Sequence, residues 1–159
     1  MATLPDLKTL QNELIEIFSS FQNGKPHPNK PLQWMAIRDQ WDAAGFRADD
    51  FNRLVSHMKS EETLREVNGM YSLTEKAVEQ GLISLPTLAE IERAILDVFS
   101  FHNSRPGEGI LPYEIQSQLF EDGIIAEEYA QGLQSMINKG WLKVGADTIA
   151  ITDAGFKEM

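Results

Sequence analysis

Leu64-Arg65-Glu66-Val67-Asn68-Gly69-Met70-Tyr71-Ser72-Leu73 reads as a strand, a two-residue turn and a second strand. Asn-Gly suits the positive backbone angles of a type I′ hairpin, and the helical period ends where Leu64 begins. The pattern returns 78 positions later as Leu142-Lys143-Val144, a Gly145-Ala146-Asp147 turn and Thr148-Ile149-Ala150-Ile151. Two hairpins at a fixed offset imply two similar modules.

Working outward, three helices precede each hairpin. Leu7, Leu10, Leu14, Ile17/Phe18 and Phe21 mark one helical face, with Asp6 at the N-cap position and Pro5 just before it. The same stripe returns 81 positions later as Ile91, Ile95, Val98 and Phe99, behind Thr87 and Glu90 at capping-box spacing. After a polar loop (residues 23–31, then 103–109), Ile37 and Trp41 predict a second, short helix, matched by Ile115 and Leu119. It ends near Gly45 or Gly123. A third helix starts with acids in its first turn, Asp49 and Asp50 or Glu127 and Glu128, where the helix dipole favours them. Phe51, Val55 and Met58, or Tyr129, Leu133 and Met136, supply its buried face. The offset falls from 81 to 78 inside the loops, where chains accept length changes. Residues 74–80 predict a closing helix in the first copy. The expected division is residues 1–83 and 84–159.

With 159 residues and 42% hydrophobic content the chain can bury two small cores. No apolar run reaches membrane-spanning length, and the first residues lack the basic-then-apolar order of a secretory signal. The expectation is a cytoplasmic protein with no membrane association. With no cysteine the chain has no disulfide, thiol nucleophile or thiolate zinc site. His27, His57 and His102 are scattered, and His57 and His102 read as structural side chains, with His102 standing where the first copy has Phe21. Arg105-Pro106-Gly107-Glu108-Gly109 lacks a following Gly-Lys-Ser/Thr, so no phosphate loop is present. The paired acids Glu61-Glu62 and Glu121-Asp122 have no accompanying nucleophile. No cofactor, metal or catalytic residue is predicted, and Trp34 and Trp41 read mainly as core, with exposure the alternative for Trp34 because it lies near a loop.

Helix, loop, helix, tight turn, helix, hairpin is the order of a winged-helix module. Tyr71-Ser72-Leu73-Thr74 and Ile149-Ala150-Ile151-Thr152-Asp153-Ala154-Gly155 resemble the Leu-Thr-x-x-Gly close of the wing in MarR- and PadR-like regulators, with Ala77 at the glycine position of the first copy. The tandem arrangement is similar to the kleisin-associated segregation protein of bacterial SMC complexes and to ESCRT-II subunits. The resemblance implies a mainly α fold with small β-wings, two tandem winged helices arising by internal duplication. It leaves the role open between DNA reading and protein contact.

Charge separates these roles. The net charge is −10; residues 1–83 carry 9 Lys+Arg and 12 Asp+Glu (−3), and residues 84–159 carry 5 and 12 (−7). The second copy therefore repels a phosphate backbone. In DNA-binding winged helices the third helix enters the major groove, and here the second copy offers no base on its exposed face. The first copy offers Arg47, Arg53, Lys59 and Arg65 for phosphates and Asn52 for an adenine edge, interspersed with acids. Asp49, Asp50, Glu127 and Glu128 form a candidate acidic docking face or simply compensate the helix dipoles.

Aligning the copies gives a second candidate surface. Ser20, Asp42, Arg47, Lys59 and Thr63 correspond to Phe101, Phe120, Ile125, Ile137 and Trp141, five polar positions turned apolar. Leu54 against Gly132, Val67 against Gly145 and Phe21 against His102 run the other way. Excess apolar surface on a small module marks a contact, either between modules or with a partner or second copy. The predicted function is a noncatalytic protein-interaction or regulatory module. The alternatives are a transcriptional regulator that binds DNA through the first copy and a structural subunit of a larger complex.

Overall fold

A computed structural model describes residues 3–159, which divide into two compact units, residues 3–85 and 86–159. Unit 1 runs α1 (Leu7–Phe21), β1 (Leu32–Gln33), α2 (Trp34–Ala43), α3 (Ala48–Ser60), β2 (Leu64–Val67), β3 (Met70–Leu73) and α4 (Glu75–Glu79). Unit 2 runs α5 (Leu88–Phe101), β4 (Gly109–Ile110), α6 (Pro112–Glu121), α7 (Ala126–Asn138), β5 (Leu142–Val144), β6 (Ile149–Ile151) and α8 (Asp153–Glu158). The chain is mainly helical, and each unit holds one small antiparallel sheet of three strands, ordered β1-β3-β2 or β4-β6-β5.

Local chemistry explains the element ends. Asp6 accepts the Thr9 N–H at 2.7 Å and caps α1, which holds its carboxyl below the usual range. Thr87 and Glu90 form a reciprocal capping box on α5. Between β2 and β3, Asn68 and Gly69 both take positive φ, the geometry of a type I′ turn, and Val67 pairs with Met70. The second hairpin is looser: Val144 pairs with Ile149, and the Gly145 N–H donates to the Thr148 carbonyl across a four-residue loop.

Three features depart from expectation, the first being α8, a closing helix in unit 2 where the sequence predicts one only in the first copy. The sheets have a third strand each, because the chain entering α2 or α6 is extended for two residues and pairs with the central strand, Leu32 opposite Tyr71 and Ile110 opposite Ile149. Phe21, expected on the core face of α1, is 44% exposed, so His102 does not replace a core residue. The connection from the first helix to the first strand is residues 22–31 in unit 1 and 102–108 in unit 2, which absorbs the change of offset.

The cores follow the aligned stripes. Leu10, Leu14, Phe18, Ile37, Trp41, Leu54, Met58 and Leu73 are fully buried in unit 1, and Ile95, Phe99, Ile115, Leu119, Met136 and Ile151 in unit 2. Trp41 anchors the first core: its Nε1–H donates to the Arg47 carbonyl at 2.8 Å, and its ring meets Phe46 and Phe51. In unit 2, Gly132 replaces Leu54. Ile91 and Ile95 of α5 fill that space, so α5 and α7 cross closely.

Candidate interaction surfaces

The predicted DNA-contact residues of unit 1 are spread over α3 and β2, and carboxylates hold most of them. Arg47 lies 3.5 Å from Asp49 on the exposed start of α3. Arg53 is half-buried, 3.2 Å from Asp50, and donates to the Pro5 carbonyl at 2.6 Å. Lys59 hydrogen-bonds Glu66 and lies 5.8 Å above the Tyr71 ring. Asn52 and Arg65 are exposed. Each of these three bases has a carboxylate beside it, which lowers the positive potential that a phosphate meets there, although the Arg47–Asp49 and Lys59–Glu66 pairs are exposed and weak in themselves.

Only half of the proposed acidic face is a face. Asp50 and Glu128 are buried: Asp50 turns toward Arg53, and Glu128 accepts the Ile125 N–H at 3.0 Å at the start of α7. Ile125 has no oxygen in its side chain, so this is half of a capping box. Asp49 and Glu127 remain exposed. Adjacent carboxylates on one helical turn point about 100° apart, so one of each pair faces the body and one faces solvent.

The five apolar replacements of unit 2 also divide. Ile137 and Trp141 are partly buried against their own unit's core, and Lys139 Nζ sits 4.6 Å over the Trp141 ring. Internal packing therefore accounts for these two. Ile125 is half-buried at the N-cap of α7. Phe101, edge-on to His102, and Phe120 are exposed.

Alignment of the copies overlooked Tyr113, the most exposed large apolar side chain of α6. It stands seven residues before Phe120, and that spacing was the signal that could have found it. The half-exposed Leu111 precedes it at the N-cap. Sequence reading also missed Glu92, which is buried on α5 and bonded to Ser135 of α7 and to Lys139 at its C-cap.

An open groove of about 860 Å³ lies in unit 1 between the end of α3, β2 and the start of α4. Its charges largely satisfy one another, Lys59 with Glu66 and Lys76 with Glu62. Hydrogen bonds from Lys59 and Tyr71 hold the Glu66 carboxyl below the usual range, and burial together with Glu66 raises the Tyr71 hydroxyl. Glu62 has φ of +62°, where the corresponding residue of unit 2 is Gly140.

Among the described residues no helix is long and apolar enough to cross a membrane, and no group of three or more His, Asp or Glu is placed to hold a metal. Trp41 is core as expected, whereas Trp34 is half-exposed beside Gly69. No family model matches the chain, and no curated protein matches it.

Proposed function

We propose that the chain is a noncatalytic interaction module made of two tandem winged helices. The fold part rests on the shared element order of the two units and on the type I′ hairpin that follows the third helix in unit 1. The functional part rests on one observation above the others. The bases of α3 that would meet phosphates, Arg53 and Lys59, pair with Asp50 and Glu66, Arg47 at its N-cap has Asp49 3.5 Å away, and α7 carries Glu127 without any base between Ala126 and Asn138. Such surfaces discriminate against nucleic acid and leave apolar and acidic side chains to meet another protein.

The second reading, a regulator that binds DNA through unit 1, is favoured by exposed Asn52 and Arg65 near α3 and β2. Titration of a randomised duplex pool at about 0.15 M salt, followed by sequencing of the bound fraction, separates the two. The interaction reading expects no enriched motif. A salt-sensitive motif that disappears in an Arg53→Ala/Lys59→Ala variant would replace it with the regulator reading.

A further inference from the structure

Tyr113, Ser117 and Phe120 fall at i, i+4 and i+7 on α6, so they share one face, opposite the side that buries Ile115 and Leu119. Tyr113 is 78% exposed and Phe120 59%, with the smaller Ser117 between the two rings. In unit 1 the corresponding residues are Met35, Asp39 and Asp42, so this aromatic face belongs to unit 2 alone. Single exposed apolar residues are ordinary, but two large aromatics on one helical face are the anchor arrangement of a contact site.

Charge selects the occupant. Residues 106–138, which include α6 and α7, hold six Asp/Glu and no Lys, Arg or His. Glu114 and Glu121 are exposed on α6 and, seven residues apart, line one edge of the aromatic face, and Asp122 follows at its C-cap. Burying the rings under an acidic or neutral partner would leave these carboxylates beside desolvated surface without compensation. A partner carrying Lys or Arg around its apolar side chains satisfies both the rings and the rim.

The geometry points to the exposed face of α6 as the docking site for a basic, amphipathic segment of a partner protein, its apolar side chains seated against Tyr113 and Phe120 and its cations facing Glu114 and Glu121. This site rests on the reading of the chain as an interaction module and gives that module its partner chemistry. The binding mode is that of a helix or short segment read through spaced apolar anchors.

The test is selection of a displayed library of random peptides of about 16 residues on the full chain. Enriched peptides should combine Lys or Arg with apolar residues at helical spacing. Their affinity should fall about tenfold or more in Tyr113→Ser/Phe120→Ser and similarly in Glu114→Lys/Glu121→Lys. Both double variants replace exposed side chains, and unchanged thermal melts confirm that they fold. Absence of enrichment, enrichment without a basic bias, or affinity indifferent to both variants overturns the site. Sedimentation that shows wild-type self-association lost in Tyr113→Ser/Phe120→Ser also overturns it, because the occupant is then a second copy. Peptides that bind but respond only to Lys59→Ala/Arg65→Ala overturn the site while leaving the interaction reading intact. A duplex motif with no enriched peptide removes both.

Discussion

Lys139 Nζ lies 2.9 Å and 2.8 Å from the two carboxylate oxygens of Glu92, joining the end of α7 to the middle of α5. The Glu92 side chain is only 5% exposed and also accepts from Ser135 Oγ, whereas Lys139 is 45% exposed and rests on Trp141. The pair thus clamps the same two helices that Gly132 lets approach.

Removing one partner of a buried pair costs about 3–5 kcal/mol, because the other charge is stranded. Solvent reaches Lys139, and Ser135 still donates to Glu92, so Lys139→Met should cost less, about 1–3 kcal/mol. The double variant Glu92→Leu/Lys139→Met should recover most of that loss. Urea denaturation midpoints at constant slope measure both. An unchanged midpoint in Lys139→Met would show that the clamp contributes nothing.

Gly155 in α8 is buried, and a Cβ there would overlap the carbonyl oxygen of Trp141 and lie 3.0 Å from Ile151 Cγ1. That carbonyl accepts the Thr152 N–H that starts α8, so backbone must move and a hydrogen bond must stretch. Gly155→Ala should destabilise by about 1–3 kcal/mol, read as a lower melting temperature. Unit 1 accommodates Ala77 at the same place, fully buried. A Gly155→Ala protein with wild-type melting would mean that α8 is free to slide.

Much of this architecture was legible because local rules and global packing agree. The Asn68-Gly69 turn, the Thr87–Glu90 cap and the Ile37–Trp41 spacing each determine local structure that the core then uses. Strands β1 and β4 were not legible, since two residues carry no periodicity and owe their conformation to the pairing of Leu32 with Tyr71 and Ile110 with Ile149. The surfaces were legible only in part. Asp49 and Asp50 look alike in sequence, and the rotation of α3 about its axis, which turns Asp50 toward the body and Arg53, decides which one is withdrawn from solvent. Ile137 and Trp141 read as surplus apolar surface because the matching positions of unit 1 hold Lys59 and Thr63, whereas the structure packs both against the core of unit 2.

Tyr129 tests the core of unit 2 from another side. It stands where unit 1 has Phe51, and its buried hydroxyl has no hydrogen-bond partner among the described residues. Tyr129→Phe should therefore stabilise by about 1 kcal/mol. Burial pushes the Tyr129 hydroxyl above the ordinary tyrosine range, so the folded state holds this proton more tightly than the unfolded chain does. The resulting stability is complete below about pH 10 and is lost as pH rises through the folded value. The advantage of Tyr129→Phe in denaturation midpoint should widen above about pH 10. Tyr71, raised in the same direction, is present in both proteins and cancels. An advantage that shrinks with alkali would contradict burial of the hydroxyl.

The pairing of Lys59 with Glu66 carries the argument against phosphate contact in unit 1, and it has its own titration. Hydrogen bonds from Lys59, then Tyr71, hold the Glu66 carboxyl below its usual range. Lys59→Ala should raise the Glu66 titration midpoint toward the ordinary glutamate value, and Tyr71→Phe should raise it by less; carboxyl carbon NMR shifts follow both. A depressed folded-state value stabilises above the unfolded pKa and is lost as pH falls through the folded one. Acidification should thus remove a small contribution from the wild type that Lys59→Ala lacks from the start. The pair is exposed, so the fold itself should be indifferent to the change. If Glu66 titrates identically with and without the Lys59 ammonium, the pair does not persist in solution. Lys59 would then be available to an anion beside exposed Arg65, and the DNA-binding reading of unit 1 would gain the phosphate contact that the pair denies it.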